Sequence, residues 1–459
     1  MSRLRLWFQN LFIVVASYVF YGWWDWRFLI LITITALWAW ASGLILGRLA
    51  GEVGRKMVVV VALLVNLGIL AVFKYYDFFV ENIAVLLGSV GANAHRLSLK
   101  VILPVGISFY TFQALSYVID VHRQNIEPTK NVVAFLAYVS FFPQLVAGPI
   151  ERATDLLPQF LYPRRFDYAL AVDGCRQMLW GFFKKMVVAD GCALAANNIL
   201  KTGGEYSSLS LLVGFFCFTF QIYGDFSGYS DIAIGVSKLF GIRLRRNFAM
   251  PYFSRNIGEF WRRWHISLTT WFKDYLYIPL GGSREGLART IRNTFVIFVV
   301  SGLWHGANWT FIVWGLVHAV AFVPILLIGN NRKYVGTVVA ENSVLPTLRE
   351  AFGMAVTFIV VMLGWAFFRA DTVTQACHWL YNIICGFDFS IAPLLRKGAP
   401  HALLWTVVML ICEWFNRRHE YGFAIYPSNA WLRYLVYFAM LFTTLLNISQ
   451  RQTFIYFQF

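Results

Sequence analysis

Long apolar runs separated by short polar stretches make up most of the chain. The runs cover residues 6–24, 27–47, 57–73, 99–119, 131–149, 170–189, 207–224, 226–241, 293–328, 350–368, 401–415 and 429–447. Most are close to the roughly 20 residues that an α-helix needs to cross a membrane. Run 293–328 is too long for one span and is interrupted at Gly302, Gly306 and Asn308. Run 77–90 is short and amphipathic, which favours a helix on the surface. The pattern predicts an all-α, polytopic membrane protein with roughly ten or eleven transmembrane helices.

Composition supports this fold class. Of the 459 residues, 59% are hydrophobic and 14% are charged, which excludes a soluble globular enzyme, a disordered chain and a disulfide scaffold. Because the linkers are short, we expect one membrane domain over residues 1–459. The run from Leu6 to Trp24 has no small-residue cleavage site after it, so we predict a first span rather than a signal peptide. Arg3 and Arg5 before it favour a cytoplasmic amino terminus.

Basic residues cluster in the second half of the chain. The net charge is +16, and eleven Lys or Arg residues fall between Lys238 and Arg292. We predict that residues 242–292 face the cytoplasm. Tryptophans interleaved with the arginines are typical of an interfacial or re-entrant helix. Two functions stay open for the arginines: anchorage to anionic lipid, or docking of a phosphate-bearing donor. Nucleic acid is not favoured, because no soluble basic domain is present.

His305 is the most informative ionisable residue. It lies in the sequence Ser301-Gly302-Leu303-Trp304-His305-Gly306-Ala307-Asn308-Trp309, inside run 293–328. If Arg292 marks the cytoplasmic interface, His305 lies about 20 Å further along a helix. An ionisable group at that depth by default faces a cavity or the bundle interior. Desolvation would keep the imidazole neutral, as a general base requires. The alternative is a packed histidine bonded to a carbonyl.

Other candidate residues have less support from the residues alone. His265 lies in the basic segment and could be an interfacial structural histidine. His318 could support His305 but is better explained by packing. A three-histidine metal site is conceivable, although no cysteine or carboxylate neighbour favours zinc, so we predict no metal. The remaining histidines lie in or beside loops and have no assigned role: His95, His122, His378, His401 and His419.

Two carboxylates and one tyrosine complete the candidates. Asp225 and Asp231 lie in membrane-like sequence and need partners. Pairing with nearby arginines is one explanation, and the polar lining of a reaction tunnel is the other. The aromatic tail 452–459 could form part of an interface belt. Alternatively, the hydroxyl of Tyr456 could act as a nucleophile near a base.

Six further motifs stand out along the chain, in segments Tyr21–Phe28, Leu103–Gln113, Phe142–Ile150, Phe260–Leu268, Tyr277–Gly282 and Trp304–Ala307. Together they resemble the membrane-bound O-acyltransferase (MBOAT) family, in the branch of the bacterial alginate, cellulose and peptidoglycan O-acetylation subunits. The resemblance implies about eleven transmembrane helices around a central tunnel. It also implies transfer of an acyl group from a cytoplasmic carrier to a hydroxyl on the outer side. His305 matches the family's catalytic histidine, and His265 matches its second conserved polar position. In the teichoic-acid D-alanylation branch a small subunit has a similar tyrosine-bearing tail, so Tyr456 is an acceptor by analogy.

Together these observations lead to one functional hypothesis. Acetyl-CoA docks at the basic face, His305 deprotonates an acceptor hydroxyl, and a periplasmic acetyltransferase passes the acetyl group to a polysaccharide such as alginate or cellulose. The protein would lie in the bacterial inner membrane without a permanently bound cofactor. We assign catalysis to His305, His265 and Tyr456. We assign donor or substrate binding to Arg262, Arg263, Trp304, Asn308 and Asp231. The alternatives are a transporter of polysaccharide or lipid-linked sugar, or a structural subunit of an envelope complex.

Overall fold

The computed structural model describes residues 5–91, 99, 102–200, 207–386, 388, 390, 398–448 and 452–455. Within these residues the regular structure is helical, and they contain no strand. The predicted all-α fold class is therefore confirmed. Backbone contacts divide the chain into two compact units. The first comprises residues 1–171 and 236–245, and the second comprises residues 172–235 and 246–459.

Eight helices begin and end within the described part of the first unit. They are α1 (Leu6–Gly22), α2 (Arg27–Arg48), α3 (Glu52–Leu70), α4 (Tyr76–Ser89), α5 (Ile107–His122), α6 (Val132–Ser140), α7 (Phe142–Leu145) and α8 (Ala153–Leu161). Helix α2 packs on α5, and α1 packs on α6. Buried aromatic side chains form much of this core, including Tyr117, Phe135, Tyr138, Phe141 and Phe160.

The remaining helices lie wholly or mostly in the second unit. They are α9 (Tyr168–Phe182), α10 (Asp190–Ile199), α11 (Ser208–Leu239), α12 (Ile257–Arg263), α13 (Ile266–Phe272), α14 (Leu287–His305), α15 (Trp309–Leu327), α16 (Leu348–Arg369), α17 (Val373–Cys385), α18 (Ala399–Phe415) and α19 (Ala430–Leu446). A π-helical segment, Phe183–Ala189, joins α9 to α10. Helices α12 and α13 have seven residues each. That length is too short to span a membrane.

Several helices are long and apolar enough to cross a membrane. Among the described residues five qualify: Arg27–Arg48, Glu52–Ser89, Ser208–Leu239, Trp309–Leu327 and Leu348–Arg369. Three shorter apolar helices are α1, α18 and α19. The chain is therefore a multi-pass membrane protein, while the number of eleven spans stays a prediction.

Two predicted elements are wrong in their extent. Runs 207–224 and 226–241 form one helix of 32 residues, α11. No proline interrupts this stretch, and the buried side chain of Asp225 has a cationic partner, Lys185, so the helix continues through it. Run 77–90 is not a separate surface helix. It continues helix α3 through a π-helical segment, Ala71–Tyr75.

Glycines bring α14 and α15 into close contact. A Cβ atom at Gly302 would lie 2.2 Å from the carbonyl oxygen of Phe311, and one at Gly315 would lie 2.2 Å from that of Phe298. At Gly306 a Cβ atom would lie 2.1 Å from the Phe311 ring. A real Cβ atom does not fit at these distances, so only glycine permits the approach. This packing fixes the end of α14, where His305 lies.

Candidate active site

His305 is the last residue of α14 and is enclosed by aromatic rings. It is 7% exposed. Its ring centroid lies 5.0 Å from that of Trp304, 5.2 Å from that of Trp314 and 5.3 Å from that of Phe368. Each contact is edge-to-face, the geometry that aromatic rings prefer. The imidazole is therefore held in a well-packed, largely apolar enclosure.

His265 lies beside His305 although it is forty residues earlier in the chain. The two ring centroids are 6.4 Å apart. His265 also packs edge-to-face on Trp304 at 5.8 Å and on Phe226 of α11 at 4.6 Å. Trp304 thus contacts both histidines, and the structure brings three of the predicted site residues together.

The backbone of His265 is strained. It has φ 42° and ψ 54°, in the left-handed region. Such a conformation costs of order 1–3 kcal/mol and is over-represented at functional sites. Two hydrogen bonds hold it: the N–H of Ile266 donates to the carbonyl of Asn247 (2.8 Å), and the N–H of Thr269 donates to the carbonyl of His265 (3.0 Å). Burial lowers the pKa of His265 to about 3, so the ring is neutral at physiological pH.

His318 is a packed core histidine. It is fully buried, and its ring centroid lies 4.9 Å from that of Trp261 and 5.0 Å from that of Trp314. Its contacts with these rings account for its position without a catalytic role. Within the described residues no group of three or more His, Cys, Asp or Glu side chains is placed to hold a metal ion.

Asn308 caps the next helix. Its side-chain oxygen accepts a hydrogen bond from the N–H of Thr310 at 3.1 Å, and its Nδ2 donates to the carbonyl of Asp371 at 3.2 Å. These bonds fix the turn between α14 and α15 and account for the residue structurally. Its proposed contact with the donor stays a prediction.

Arg262 and Arg263 line a basic cavity of about 310 Å³. Arg246, Arg417 and Arg418 also line it, and Glu259 is the single carboxylate among its lining side chains. Arg263 pairs with Glu259 at 2.9 Å. Arg262 donates through Nη1 to the carbonyl of Asn331 at 2.6 Å, whereas its buried Nη2 has no hydrogen-bond partner among the described residues. An excess of arginines around one cavity suits an anionic ligand.

The two carboxylates of α11 pair with lysines, so the explanation by pairing with nearby arginines is wrong. Asp231 contacts Lys184 at 2.5 Å and Asp225 contacts Lys185 at 2.6 Å. Both lysines lie in the π-helical segment Phe183–Ala189. The π-helical segment packs close enough to α11 for both lysines to reach these carboxylates. Asp231 also accepts a bond from Gln177 Nε2 at 2.8 Å.

Asp231 lines a second, small cavity of about 20 Å³, together with Tyr223, Ser227, Arg246 and Glu413. A space of that size holds about one water molecule. Neither this cavity nor the basic cavity is lined by His265 or His305. The central tunnel therefore stays a prediction.

Tyr456 lies outside the described residues. The structure describes residues 452–455 of the predicted aromatic tail, and they dock inside the second unit. Ile455 is fully buried, and Phe454 is 9% exposed. The docking brings the residue that precedes Tyr456 into the interior.

Sequence reasoning missed four residues that shape these sites. Lys184 and Lys185 lie within apolar run 170–189, and Glu413 lies within run 401–415. An ionisable residue inside an apolar run is itself a signal for a functional or paired group. Arg417 follows the last apolar turn of α18 and lines the basic cavity. No local pattern links it to Arg262, since that proximity depends on the tertiary fold.

Comparison with known proteins identifies the family. A model of the membrane-bound O-acyltransferase family matches residues 128–337. The chain is 38% identical over 420 residues to the probable alginate O-acetylase AlgI of Pseudomonas putida, a match that covers 90% of this chain and 83% of the relative. It is 37% identical over 420 residues to the AlgI protein of Pseudomonas aeruginosa, covering 90% and 78%. It is 32% identical over 418 residues to the peptidoglycan O-acetyltransferase of Helicobacter pylori, covering 85% and 77%.

The enclosed histidine pair lies in the part of the chain that the family model matches. The similarity to the AlgI proteins extends over most of both sequences. The chain therefore belongs to the membrane-bound O-acyltransferase family and is an O-acyltransferase.

Proposed function

We propose that this enzyme moves an acetyl or other short acyl group from a cytoplasmic thioester, acetyl-CoA, across the bacterial inner membrane for O-acetylation of an extracytoplasmic polysaccharide. The relatives named as alginate O-acetylases and as a peptidoglycan O-acetyltransferase support a polysaccharide acceptor. Alginate is the acceptor best supported by these names, and cellulose is a further candidate from the sequence resemblance.

The histidine pair is the observation that carries the proposal. His305 and His265 meet at 6.4 Å inside an aromatic enclosure. A neutral imidazole shielded from bulk water is suited to general-base catalysis, and the enclosure limits hydrolysis of the activated acyl group. A transporter or an inert structural subunit would need neither such a pair nor the strained backbone of His265.

The basic cavity is the proposed donor site. Its five arginines supply more positive charge than Glu259 offsets, and guanidinium groups bind phosphates through paired hydrogen bonds. Acetyl-CoA carries several phosphates at the end remote from its thioester. In this proposal the cavity binds that end, and the thioester extends toward the histidines.

The proposed reaction needs only a base, an acceptor hydroxyl and the thioester. His305 accepts the proton of an acceptor hydroxyl, and the oxygen attacks the thioester carbonyl. A new carbon–oxygen bond forms, the carbon–sulfur bond breaks, and the proton on His305 passes to the departing sulfur. The products are an ester and free CoA thiol. Because only a small neutral acyl group crosses, the cost of moving a charged donor through hydrocarbon is avoided.

The acceptor in this scheme is Tyr456, and a periplasmic acetyltransferase is the proposed partner. That partner would break the tyrosyl ester and form a new ester on a polysaccharide hydroxyl, which regenerates the Tyr456 hydroxyl. The membrane enzyme would thus bind the donor on the cytoplasmic side, and its partner would recognise the polysaccharide on the periplasmic side.

Release of free thiol from acetyl-CoA by the purified enzyme tests the proposal. We expect His305→Gln to lower the rate by about a hundredfold or more, the usual contribution of general-base catalysis. His318→Gln is the matched control, since it removes a buried imidazole that packs on the same Trp314. Transport of a sugar without thiol release would instead favour a transporter.

A further inference from the structure

His265 lies at the junction of two short helices. Helix α12 ends at Arg263, α13 starts at Ile266, and His265 is the residue directly before α13. Helices favour Ser, Thr, Asp or Asn at this position, because such side chains accept a hydrogen bond from an N–H group of the first turn. Within the described residues the His265 imidazole makes no capping bond of this kind. The first turn of α13 therefore needs an acceptor from elsewhere in the chain.

Asn247 supplies acceptors to the start of α13. Its backbone carbonyl accepts the N–H of Ile266 at 2.8 Å. Its side-chain Oδ1 accepts a hydrogen bond from the hydroxyl of Ser267 at 2.6 Å. Ile266 and Ser267 are the first two residues of α13. As a result, His265 precedes the helix without capping it, and its ring packs in the histidine pair instead.

The side chain of Asn247 also bonds to α11. Its Nδ2 donates to the hydroxyl of Ser230 at 3.1 Å. Ser230 lies four residues after Phe226, so the two share one face of α11. Phe226 packs on the ring of His265 with centroids 4.6 Å apart. The same face of α11 therefore contacts the imidazole directly and, through Asn247, the backbone next to it.

Two backbone hydrogen bonds flank His265. Before it in the chain, the carbonyl of Arg263 accepts the N–H of Ala249 at 3.0 Å. After it, the N–H of Ile266 donates to the carbonyl of Asn247. His265 lies between these bonds with its left-handed φ of 42°. The backbone is thus fixed on both sides of a residue whose conformation is unfavourable for any residue with a Cβ atom.

The side-chain bonds of Asn247 are buried. Asn247 and Ser267 are each 1% exposed, and Ser230 is 2% exposed. A buried polar group that loses its partner costs free energy, because water does not replace the bond. The bonded arrangement therefore favours one orientation for the start of α13. We refer to Asn247, Ser230 and Ser267 as the brace.

We propose that Asn247 is a positioning residue that sets the orientation of the His265 imidazole in the histidine pair. It does so by holding the first turn of α13 against α11, through Ser267 on one side and Ser230 on the other. The inference rests on the proposed function for the role of His265 in acyl transfer, whereas the brace itself does not depend on it. Misplacing a reacting group by about 1 Å can lower a rate by about a hundredfold.

Hydrogen exchange without donor tests the brace by itself. In the native enzyme we expect the Ile266 amide to be protected by its bond to the carbonyl of Asn247. In Asn247→Ala we expect this amide to exchange about tenfold faster or more, since both side-chain bonds of the brace are lost. Asn293→Ala is the matched control, because Asn293 is also fully buried and its side chain donates to the carbonyls of Leu280 and Gly282. An unprotected Ile266 amide in the native enzyme, or equal exchange in the two variants, overturns the brace.

Steady-state thiol release from acetyl-CoA tests the positioning role. We expect Asn247→Ala to lower kcat about tenfold or more. KM should stay close to that of the native enzyme, because Asn247 does not line the basic cavity. Asn293→Ala should keep both constants near the native values, even where it lowers the melting temperature as much. An unchanged kcat in Asn247→Ala, or an equal fall in Asn293→Ala, overturns the positioning role.

Ser267→Ala is a milder variant that separates the brace from a general loss of folding. It removes one hydroxyl and keeps the backbone bond between Ile266 and Asn247. We expect its kcat to fall as well. The double variant Asn247→Ala/Ser267→Ala should fall no further than Asn247→Ala, because changes that break the same bond are not additive. Fully additive losses would overturn the route through this bond, whereas absence of thiol release in the native enzyme would count against the proposed function.

Discussion

The imidazole rings of His265 and His305 lie 6.4 Å apart at their centroids, although different helices supply them. His305 ends α14, and His265 precedes the first residue of α13. Trp304 packs on both rings. A group placed between the histidines would contact both of them, so the pair can act on one reactant.

Arg246 offers a test of the donor site. It lines the basic cavity, so replacing it with glutamine should weaken binding of the phosphates without altering the histidines. We expect the KM for acetyl-CoA to rise about tenfold, the usual effect of losing one bond to a charged group, with little change in kcat.

Arg289→Gln is the control for that variant. It removes one positive charge from the same basic segment, but Arg289 pairs with Glu285 and does not line the cavity. An equal rise in KM in both variants would indicate general electrostatic attraction and not a defined donor site.

Replacing Gly302 with alanine should destabilise the α14–α15 pair. The added Cβ would lie 2.2 Å from the carbonyl oxygen of Phe311, so one backbone must move. We expect a loss of about 1–3 kcal/mol, measured by thermal unfolding in detergent. Gly68→Ala is the control: nothing lies within 4 Å of a Cβ there, so it should be neutral or stabilising by up to about 1 kcal/mol. Equal melting temperatures for the two variants would contradict the close packing.

Acidification should destabilise the enzyme through His265. Its pKa falls to about 3 on burial, from 6.5. Between these values the unfolded chain binds a proton that the folded chain excludes, so stability is present above about pH 6.5 and is lost as the pH falls toward 3. The slope is about 1.4 kcal/mol per pH unit. His265→Gln should show a shallower loss of melting temperature between pH 6.5 and pH 5. An identical slope in both proteins would show that His265 is not held neutral.

The apolar runs predicted the fold class because membrane-spanning helices must be apolar along their length. The runs also predicted a boundary between two spans at Asp225, and this prediction is wrong because one helix, α11, passes through that residue. A lysine from another segment, Lys185, neutralises this buried carboxylate, so the helix continues. Such pairing cannot be inferred from local sequence, because Lys185 and Asp225 are brought together only by folding.

The same limit applies to the candidate site. His305 could be singled out from its apolar surroundings, and the family resemblance raised His265 beside it. The contribution of Arg417 and Arg418 to the basic cavity could not be inferred from the sequence, because both lie far along the chain from Arg262. The amphipathic helix α17 was also missed, because its polar residues interrupt any continuous apolar run.

The most direct test of the central claim is polymer O-acetylation in cells whose only copy of this enzyme carries His305→Ala. The variant must reach native abundance and a melting temperature close to that of the native protein. We expect O-acetyl groups to be absent from the polymer, because the acyl group is not transferred without the enclosed base. Normal acetylation by a well-folded His305→Ala enzyme would contradict the account.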